Sequence, residues 1–183
     1  MPLTTLPSLA VRPSADEYLP YYHKYIERVP EGDLLATLES QIDDTVALLD
    51  RFGESGGGLR YAPGKWSVKE VVGHLTDAER IFIYRALCAA RGEGASLPGF
   101  DENAYVARAE FDTRTLNSLM GEFKAVRRST LSLFRNLRDE ELARRVTANN
   151  APISARALGW IIAGHEIHHA GLLEERYLPA LQN

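Results

Sequence analysis

Four long segments of this chain repeat apolar residues at every third or fourth position, and this periodicity limits the fold more than any other feature. The first segment follows Asp33, a predicted N-cap, and ends at Gly53. The second starts with Ser67 and Glu70, a capping box in which a hydroxyl and a carboxylate satisfy free backbone amides, and ends at Gly92. Both patterns predict amphipathic α-helices with marked ends.

The two remaining periodic segments lie in the C-terminal half of the chain. One begins near Asp112 or Thr113 and continues to Leu137, and the other follows Ser154 and fades before Pro179. No segment shows the period-two alternation of a half-buried strand, so no strand is predicted. Four amphipathic helices of roughly 20 residues each, joined by polar loops, predict an all-α fold, an antiparallel four-helix bundle.

The chain is predicted to form one domain, since 183 residues match the usual size of a domain. Residues 1–32 are rich in proline and predict an N-terminal strap with a short, interrupted helix that packs on the bundle. Residues 33–178 form the predicted bundle, and residues 179–183 form a tail.

The connection between the second and third segments, residues 92–111, is long for a bundle. Long ordered connections are often functional. We therefore expect this one to cap one end of the bundle, with Asp101, Tyr105 and Arg108 as candidates for lining the mouth. A plain crossover link is an equal alternative, because polar loop residues are usually just solvated.

Composition disfavours several classes of protein. With 45% hydrophobic and 25% charged residues the chain can form a core, and no apolar run approaches the roughly 18 to 20 residues of a transmembrane helix. Residues 1–10 lack the basic start and the cleavage site of a signal peptide. The lone Cys88 excludes an intramolecular disulfide, is expected to serve packing, and fits a reducing compartment, so a cytoplasmic location is predicted.

The charge distribution disfavours nucleic acid as a partner. The formal net charge is −4, and the two signs are interspersed along the chain. The longest basic clusters are the pairs Arg127-Arg128 and Arg144-Arg145, and each pair is predicted to lie on a solvated helix face. A protein that binds nucleic acid would concentrate positive charge on one surface.

Three of the five histidines cluster near the C-terminus, at positions 165, 168 and 169. On a helix, His165 and His169 fall one turn apart within the apolar stripe, whereas His168 lies towards its edge. Burying two imidazoles is costly unless each ring nitrogen finds a partner. A shared cation satisfies both rings, and this is the spacing that a metal uses on a helix. A buried hydrogen-bonded pair is the equal alternative.

A metal site would need a further ligand from another segment. His74 is the natural candidate, but periodicity places it on the border of the apolar face of its helix. Glu79 falls nearer the centre of that face. Its carboxylate could be a ligand, could accept a hydrogen bond from a histidine, or could form an interhelical salt bridge with an arginine, and the last two are favoured. His23 is expected on the surface or in the strap.

Two stretches of sequence resemble the signatures of the DinB/YfiT-like superfamily. Residues 64–79, with the sequence GKWSVKEVVGHLTDAE, resemble the first signature of this family. Residues 163–169, with the sequence AGHEIHH, are similar to its closing His-x3-His. The two motifs stand in the family's order and at the family's separation, and the match spans residues 33–178.

The resemblance implies a bundle that holds one divalent transition metal, nickel or zinc, through three histidines, and these map onto His74, His165 and His169. His168 is then an extra imidazole. Family members with assigned activity are thiol-dependent S-transferases and isomerases, others are described as metal-dependent hydrolases, and many are homodimers. The resemblance therefore implies a homodimer that acts on a small-molecule substrate, such as a low-molecular-weight thiol.

Two kinds of function are compatible with such a site. Three neutral ligands leave open positions on the ion, which can lower the pKa of a bound water or thiol. A metalloenzyme, either a thiol-dependent S-transferase or a hydrolase, is the favoured interpretation, and a thiolate suits a borderline metal, which slightly favours transfer. The alternative is a non-catalytic bundle in which the metal staples two helices and an outer face serves binding or dimerisation.

Overall fold

The computed structural model describes residues 8–181 and consists mainly of helices. Four of the helices are long and form a bundle, which confirms the predicted fold class. In chain order the helices are α1 (His23–Ile26), α2 (Leu34–Asp50), α3 (Gly53–Gly56), α4 (Val68–Arg91), α5 (Glu102–Ala109), α6 (Leu116–Arg135), α7 (Asp139–Ala143), α8 (Ala155–Leu172) and α9 (Leu178–Leu181). A turn with π-helical hydrogen bonds, Leu173–Tyr177, joins the last two.

The ends of the long helices follow the capping signals in the sequence. The carboxylate of Asp33 accepts a hydrogen bond of 2.9 Å from a backbone amide in the first turn of α2. The Ser67 hydroxyl accepts from the amide of Glu70 at 3.0 Å, while the Glu70 carboxylate accepts from the amide of Ser67 at 2.8 Å. Gly92 ends α4 with a φ of 76°. Only α6 begins later than predicted, after the N-cap Thr115.

Helix α8 is the most buried of the four long helices. Helices α2 and α4 both pack against α6 and α8, so the four long helices form a closed ring of contacts. Within residues 155–166 of α8, every residue except Arg156 is buried. A helix that is apolar on all sides belongs in a core. A polar side chain in this part of α8 therefore faces another element of the protein.

A short β-hairpin precedes α8, although no strand was predicted. Strands β1 (Arg145–Ala148) and β2 (Ala151–Ser154) pair in antiparallel fashion. The two residues between them, Asn149 and Asn150, have φ of 51° and 63°, as a tight type I′ hairpin turn requires. Each strand has four residues, which is too short for alternation to be recognised in the sequence, and this is why the prediction was wrong.

The connection 92–111 is ordered and contains α5, a helix that the sequence did not predict. Asp101 is the N-cap of α5 and accepts a hydrogen bond of 3.1 Å from an amide in its first turn. Upstream, Leu97 pairs with the hairpin through backbone hydrogen bonds of 2.9 and 3.1 Å. The connection is thus joined to the hairpin at Leu97 and packs on α4 through α5.

The strap contacts α8 so closely that only glycine is tolerated there. A 3₁₀ turn, Pro20–Tyr22, leads into α1, which matches the predicted short and interrupted helix. A Cβ atom on Gly164 would lie 2.0 Å from the carbonyl oxygen of Tyr25. The backbone of the strap therefore lies directly against α8, beside His165.

Some predictions concern residues outside the described range. The structure does not describe residues 1–7 and 182–183. Most of the segment considered as a signal peptide and the end of the predicted tail therefore lie outside the described residues. The domain boundaries after residues 32 and 178 stay predictions. Within residues 8–181, no helix combines the length and the apolar character needed to cross a membrane.

Candidate metal centre

Three histidine side chains converge between α4 and α8. His74 comes from α4, and His165 and His169 come from consecutive turns of α8. The Nε2 atoms of His74 and His165 are 3.1 Å apart, and one ring nitrogen from each histidine lies within 4.8 Å of the other two. The ring centroids are 4.6–4.9 Å apart. These three residues are called the histidine triad below.

The position of His74 depends on packing as well as on helical periodicity. Periodicity placed His74 on the border of the apolar face of α4, yet its side chain is only 6% exposed. The ring of Trp66, from the loop before α4, covers it at a centroid distance of 4.7 Å. His165 and His169 face the same point because they are four residues apart on α8. The predicted meeting of the three imidazoles is therefore present in the structure.

Burial keeps the histidine triad neutral. Burial lowers the pKa of His74 from 6.5 to about 4. Burial also lowers the pKa of His165 and His169 well below 6.5, and the mutual repulsion of the neighbouring imidazolium charges lowers it further. Neutral imidazoles carry free lone pairs, which is the state that a metal ion requires of its ligands. The donor set therefore fits a divalent transition metal.

The histidine triad lies in the wall of a cavity of about 410 Å³. Half of the other lining residues are Phe, Tyr or Trp, and they come from the strap, from the loop before α4, from α4 and from the connection 92–111. The rings are those of Tyr21, Tyr22, Tyr25, Trp66, Phe82 and Phe100. His168 also lines this cavity, half-buried, with its ring 5.4 Å from Tyr25 and 5.0 Å from His169. The site is thus open to a small molecule on one side.

Glu79 lies outside the histidine triad, and its partners are on α6. Its carboxylate accepts two hydrogen bonds from the guanidinium of Arg127, of 2.9 and 2.8 Å, and one of 2.6 Å from the Thr130 hydroxyl. The predicted interhelical salt bridge with an arginine is confirmed. The other favoured role, as acceptor from a histidine, is not found, because Arg127 and Thr130 occupy the carboxylate.

Arg127 corrects one prediction. It was expected on a solvated helix face together with Arg128, but it is 1% exposed, whereas Arg128 is exposed. Arg127 Nη2 lies 2.7 Å from a carboxylate oxygen of Glu166 as well as contacting Glu79. Glu79, Arg127 and Glu166 are called the buried ion cluster below. The burial of Arg127 could have been predicted from its spacing, because Arg127 falls on the same helix face as Phe123 and Thr130.

Burial and the arginine act in opposite directions on Glu166. Burial raises the pKa of its carboxyl group, and the positive charge of Arg127 and the hydroxyl of Thr45 lower it, with a net increase. The Thr45 hydroxyl donates a hydrogen bond of 2.7 Å to this carboxylate. Glu166 therefore has polar partners on α2 and α6.

The residues predicted to line the mouth do not line the cavity. Asp101, Tyr105 and Arg108 are exposed, and the connection 92–111 contributes Gly99, Phe100 and Glu102 to the wall instead. The sequence indicates that these residues are polar and lie in the connection, but it does not indicate which side of α5 faces the site.

The two other residues that were considered are placed as expected. Cys88 is half-buried and packs against the core. His23 is exposed at the start of α1, in the strap.

The fold and the site define a class of protein: a helical bundle with three converging histidines in the wall of an aromatic cavity. The sequence matches the profile of the DinB superfamily over residues 37–173, which is most of the chain. The protein belongs to the DinB superfamily. The resemblance that was seen in the two motifs is thereby confirmed.

Several relatives share this fold. A protein of Oceanobacillus iheyensis named "Putative metal-dependent hydrolase" is 23% identical over 150 residues, which cover 78% of this chain and 86% of the relative. YfiT from Bacillus subtilis, described as a probable metal-dependent hydrolase with an unusual four-helix bundle topology, has a TM-score of 0.67 at 18% identity. That match covers 94% of this chain and 91% of YfiT.

A further solved structure comes from a larger protein. The mycothiol-dependent maleylpyruvate isomerase has a TM-score of 0.64 at 15% identity. The match covers 80% of this chain and 61% of the isomerase. At such identities the solved structures demonstrate a common fold and leave the activity of this chain to be argued from its own residues.

Proposed function

We propose that this protein is a metalloenzyme in which His74, His165 and His169 bind one divalent transition metal, zinc or nickel, and activate a small nucleophile against a small-molecule substrate. The observation that carries the proposal is the position of the histidine triad. Three neutral imidazoles meet in the wall of a cavity, and within residues 8–181 no carboxylate or thiol joins them to complete a closed site. Structural sites usually have four protein ligands, whereas catalytic sites have three.

The chemistry of the site follows from its surroundings. A divalent transition metal supplies a Lewis acid that polarises water or a thiol and lowers its pKa towards neutrality. The protein supplies three imidazoles and a wall in which aromatic rings alternate with polar side chains. Trp66 covers the ring of His74, and the ring of Tyr25 packs edge-on against His165 at 5.2 Å, so both exclude water from the sides of the histidine triad.

Hydrolysis is the reaction that the site supports best. Water needs no recognition site of its own, and the cavity has space for a small substrate beside the histidine triad. The similarity to the Oceanobacillus iheyensis protein named "Putative metal-dependent hydrolase" and to YfiT, described as a probable metal-dependent hydrolase, supports the same reaction.

Thiol transfer is the second candidate, and the similarity to the mycothiol-dependent isomerase favours it. We expect a cobalt-substituted sample to change its visible spectrum when a small thiol is added, because a thiolate would replace a weaker ligand in an open position. Cysteine, glutathione and 2-mercaptoethanol are suitable probes, each compared with its S-methyl derivative. An unchanged spectrum with all three thiols would remove thiol transfer and leave hydrolysis.

Metal stoichiometry tests the assignment of the ligands. We expect untagged protein to retain about one ion per chain after dialysis, as a single three-histidine site implies. His165→Ala should lose this ion, because two imidazoles remain. His168→Ala is the matched control and should retain the ion, because His168 lies outside the histidine triad. Equal loss in both variants would contradict the assignment.

The non-catalytic alternative is a metal that only staples α4 to α8. The buried ion cluster argues against a need for such a staple, because it already joins these helices through Arg127. The cytoplasmic location and the homodimer stay predictions from the sequence and from the family resemblance.

A further inference from the structure

Arg85 is a buried cation without an acidic partner. It lies on α4, eleven residues after His74, and its side chain is 4% exposed. One guanidinium nitrogen donates a hydrogen bond of 2.7 Å to the carbonyl oxygen of Pro98. The guanidinium carbon lies 5.9 Å from the ring centroid of Phe100. No carboxylate within residues 8–181 forms an ion pair with Arg85.

The contrast with Arg127 shows why this arrangement needs an explanation. Arg127 is equally buried, but two carboxylates neutralise it. A charge buried without a counter-ion is costly, and a guanidinium has five N–H donors to satisfy. The Pro98 carbonyl uses one donor of Arg85, and the guanidinium also interacts with the hydroxyl of Tyr22. The side chain also lines the cavity that contains the histidine triad, so its other donors are available to a ligand there.

We propose that Arg85 binds the carboxylate of an elongated organic acid whose opposite end reaches the histidine triad. This inference rests on the proposed function, which supplies the reacting end of the cavity. Eleven helical residues place the backbones of His74 and Arg85 about 16 Å apart along α4, so the ligand must be long enough to bridge part of that distance. The planar fork of arginine matches a carboxylate in two parallel hydrogen bonds.

The wall between the two ends describes the middle of the ligand. Phe82 lies on α4 between His74 and Arg85, and its ring contacts His165 at 5.8 Å and Tyr22 at 6.2 Å. These rings offer no charge to a ligand that passes over them. The middle of the organic acid is therefore apolar.

A nearby acid favours a single negative charge on the ligand. Glu102, at the start of α5, lines the same cavity as Arg85. One arginine neutralises the single charge of a carboxylate, whereas a phosphate dianion would keep a second negative charge beside Glu102. We therefore assign the group bound by Arg85 as a carboxylate and not a phosphate.

Calorimetric titration with simple probes tests the proposal. Hexanoate and octanoate represent the acid, 1-hexanol is the neutral control of equal length, and hexyl phosphate is the alternative anion. We expect wild-type protein to bind the alkanoates and Arg85→Gln to bind them on the order of tenfold or more weakly, since a hydrogen-bonded charge pair contributes that much. Binding of 1-hexanol should be weak and equal in both proteins.

Three further variants separate the anchor from a structural role. Arg85→Lys keeps the positive charge and should retain more alkanoate binding than Arg85→Gln. Glu102→Gln should bind alkanoates about two- to fivefold more tightly, because a repelling charge is lost. Arg80→Gln is the matched control on α4, since Arg80 is exposed and pairs with Asp77 and Glu122. It should leave alkanoate binding unchanged.

Metal content is measured on the same samples, with and without a chelator. A failure of the Arg85 proposal can therefore be distinguished from a failure of the proposed metal site. Alkanoate binding that depends on Arg85 would support the anchor even in a protein that holds no metal. The anchor would be overturned if wild type did not bind alkanoates, or if wild type and Arg85→Gln bound them with equal affinity. It would also be overturned if a chelator abolished binding while Arg85→Gln left it unchanged. Tighter binding of hexyl phosphate than of hexanoate would overturn the assignment to a carboxylate.

Discussion

Two buried polar clusters both include residues of α4 and α8, and they differ in how their groups are satisfied. The histidine triad and the buried ion cluster both join α4 to α8. In the buried ion cluster the donors of Arg127 meet the carboxylates of Glu79 and Glu166. In the histidine triad, three groups of one chemical kind face each other, and no carboxylate of the described residues 8–181 joins them.

This difference separates a cluster that only joins helices from one that could accept a ligand. Complementary groups that satisfy each other leave nothing for a ligand to bind. Three neutral imidazoles whose ring nitrogens converge instead match an external cation, and they line a cavity through which it can be reached. Burial alone does not distinguish the two clusters, since both are almost fully buried.

The buried ion cluster also contacts every long helix of the bundle. Arg127 belongs to α6, Glu79 to α4 and Glu166 to α8, and Arg127 donates a hydrogen bond of 3.0 Å to the carbonyl oxygen of Leu38 on α2. One arginine thus joins all four helices. Stability and metal binding should therefore respond to different substitutions.

The largest effect on stability is expected from Arg127→Met. The substitution leaves two carboxylates buried without a cation, which should lower the free energy of unfolding by about 3–5 kcal/mol. Urea denaturation measures this loss. The matched control is Arg128→Met on the exposed face of α6, which should change stability by less than about 0.5 kcal/mol. Similar losses in the two variants would remove the distinction between the clusters.

Removal of the metal should have a smaller effect. A ligand present at about one hundred times its dissociation constant stabilises the folded state by roughly 2.7 kcal/mol, and a chelator should remove an amount of this order. Because the buried ion cluster remains, thermal unfolding should stay cooperative after chelation. Loss of the folded state on chelation, followed by circular dichroism, would instead support the metal as a structural staple.

Gly164→Ala tests the wall that separates the histidine triad from water. The new Cβ would collide with the Tyr25 carbonyl oxygen, so we expect a loss of about 1–3 kcal/mol as the strap is displaced. Gly171→Ala is the control on the same helix, because no atom lies within 4 Å of its added Cβ. That variant should gain up to about 1 kcal/mol from helix propensity. Equal effects would show that the strap does not pack as described.

The smallest effect is expected at Glu17, a buried carboxylate of the strap that pairs with Arg156 and accepts a hydrogen bond of 2.7 Å from Ser154. Burial raises the pKa of Glu17, but these hydrogen bonds outweigh it and lower the pKa below 4.5. A carboxyl with a lowered pKa contributes stability above its unfolded-state value, and this contribution is lost as the pH falls through the folded-state value.

Glu17→Gln should therefore differ most from wild type above pH 4.5, and the difference should shrink on acidification. Urea denaturation at several pH values measures it, with Glu31→Gln, an exposed residue of the same strap, as the control. A difference that widens in acid would show that Glu17 is not a stabilising carboxylate. The ion pair between the strap and Arg156 would then not stabilise the fold as the buried ion cluster does.

Local signals in the sequence determined the helices and part of the site. Asp33, Ser67 and Gly92 mark helix ends because capping depends on neighbouring residues alone, and their roles were predicted correctly. The pairing of His165 with His169 was predictable for the same reason, since a spacing of four residues fixes their common direction on α8. The family motifs added His74, which periodicity had left undecided.

Only the tertiary structure decided which polar residues are buried and what they meet. Arg127 and Arg128 are neighbours in sequence, yet one is in the core and the other is in water. Arg85 gave no signal at all, because a charged residue on a helix is usually solvated. These outcomes depend on distant segments, such as Glu166 for Arg127 and Pro98 for Arg85, and pairing across long sequence separations has no local pattern from which it could be predicted.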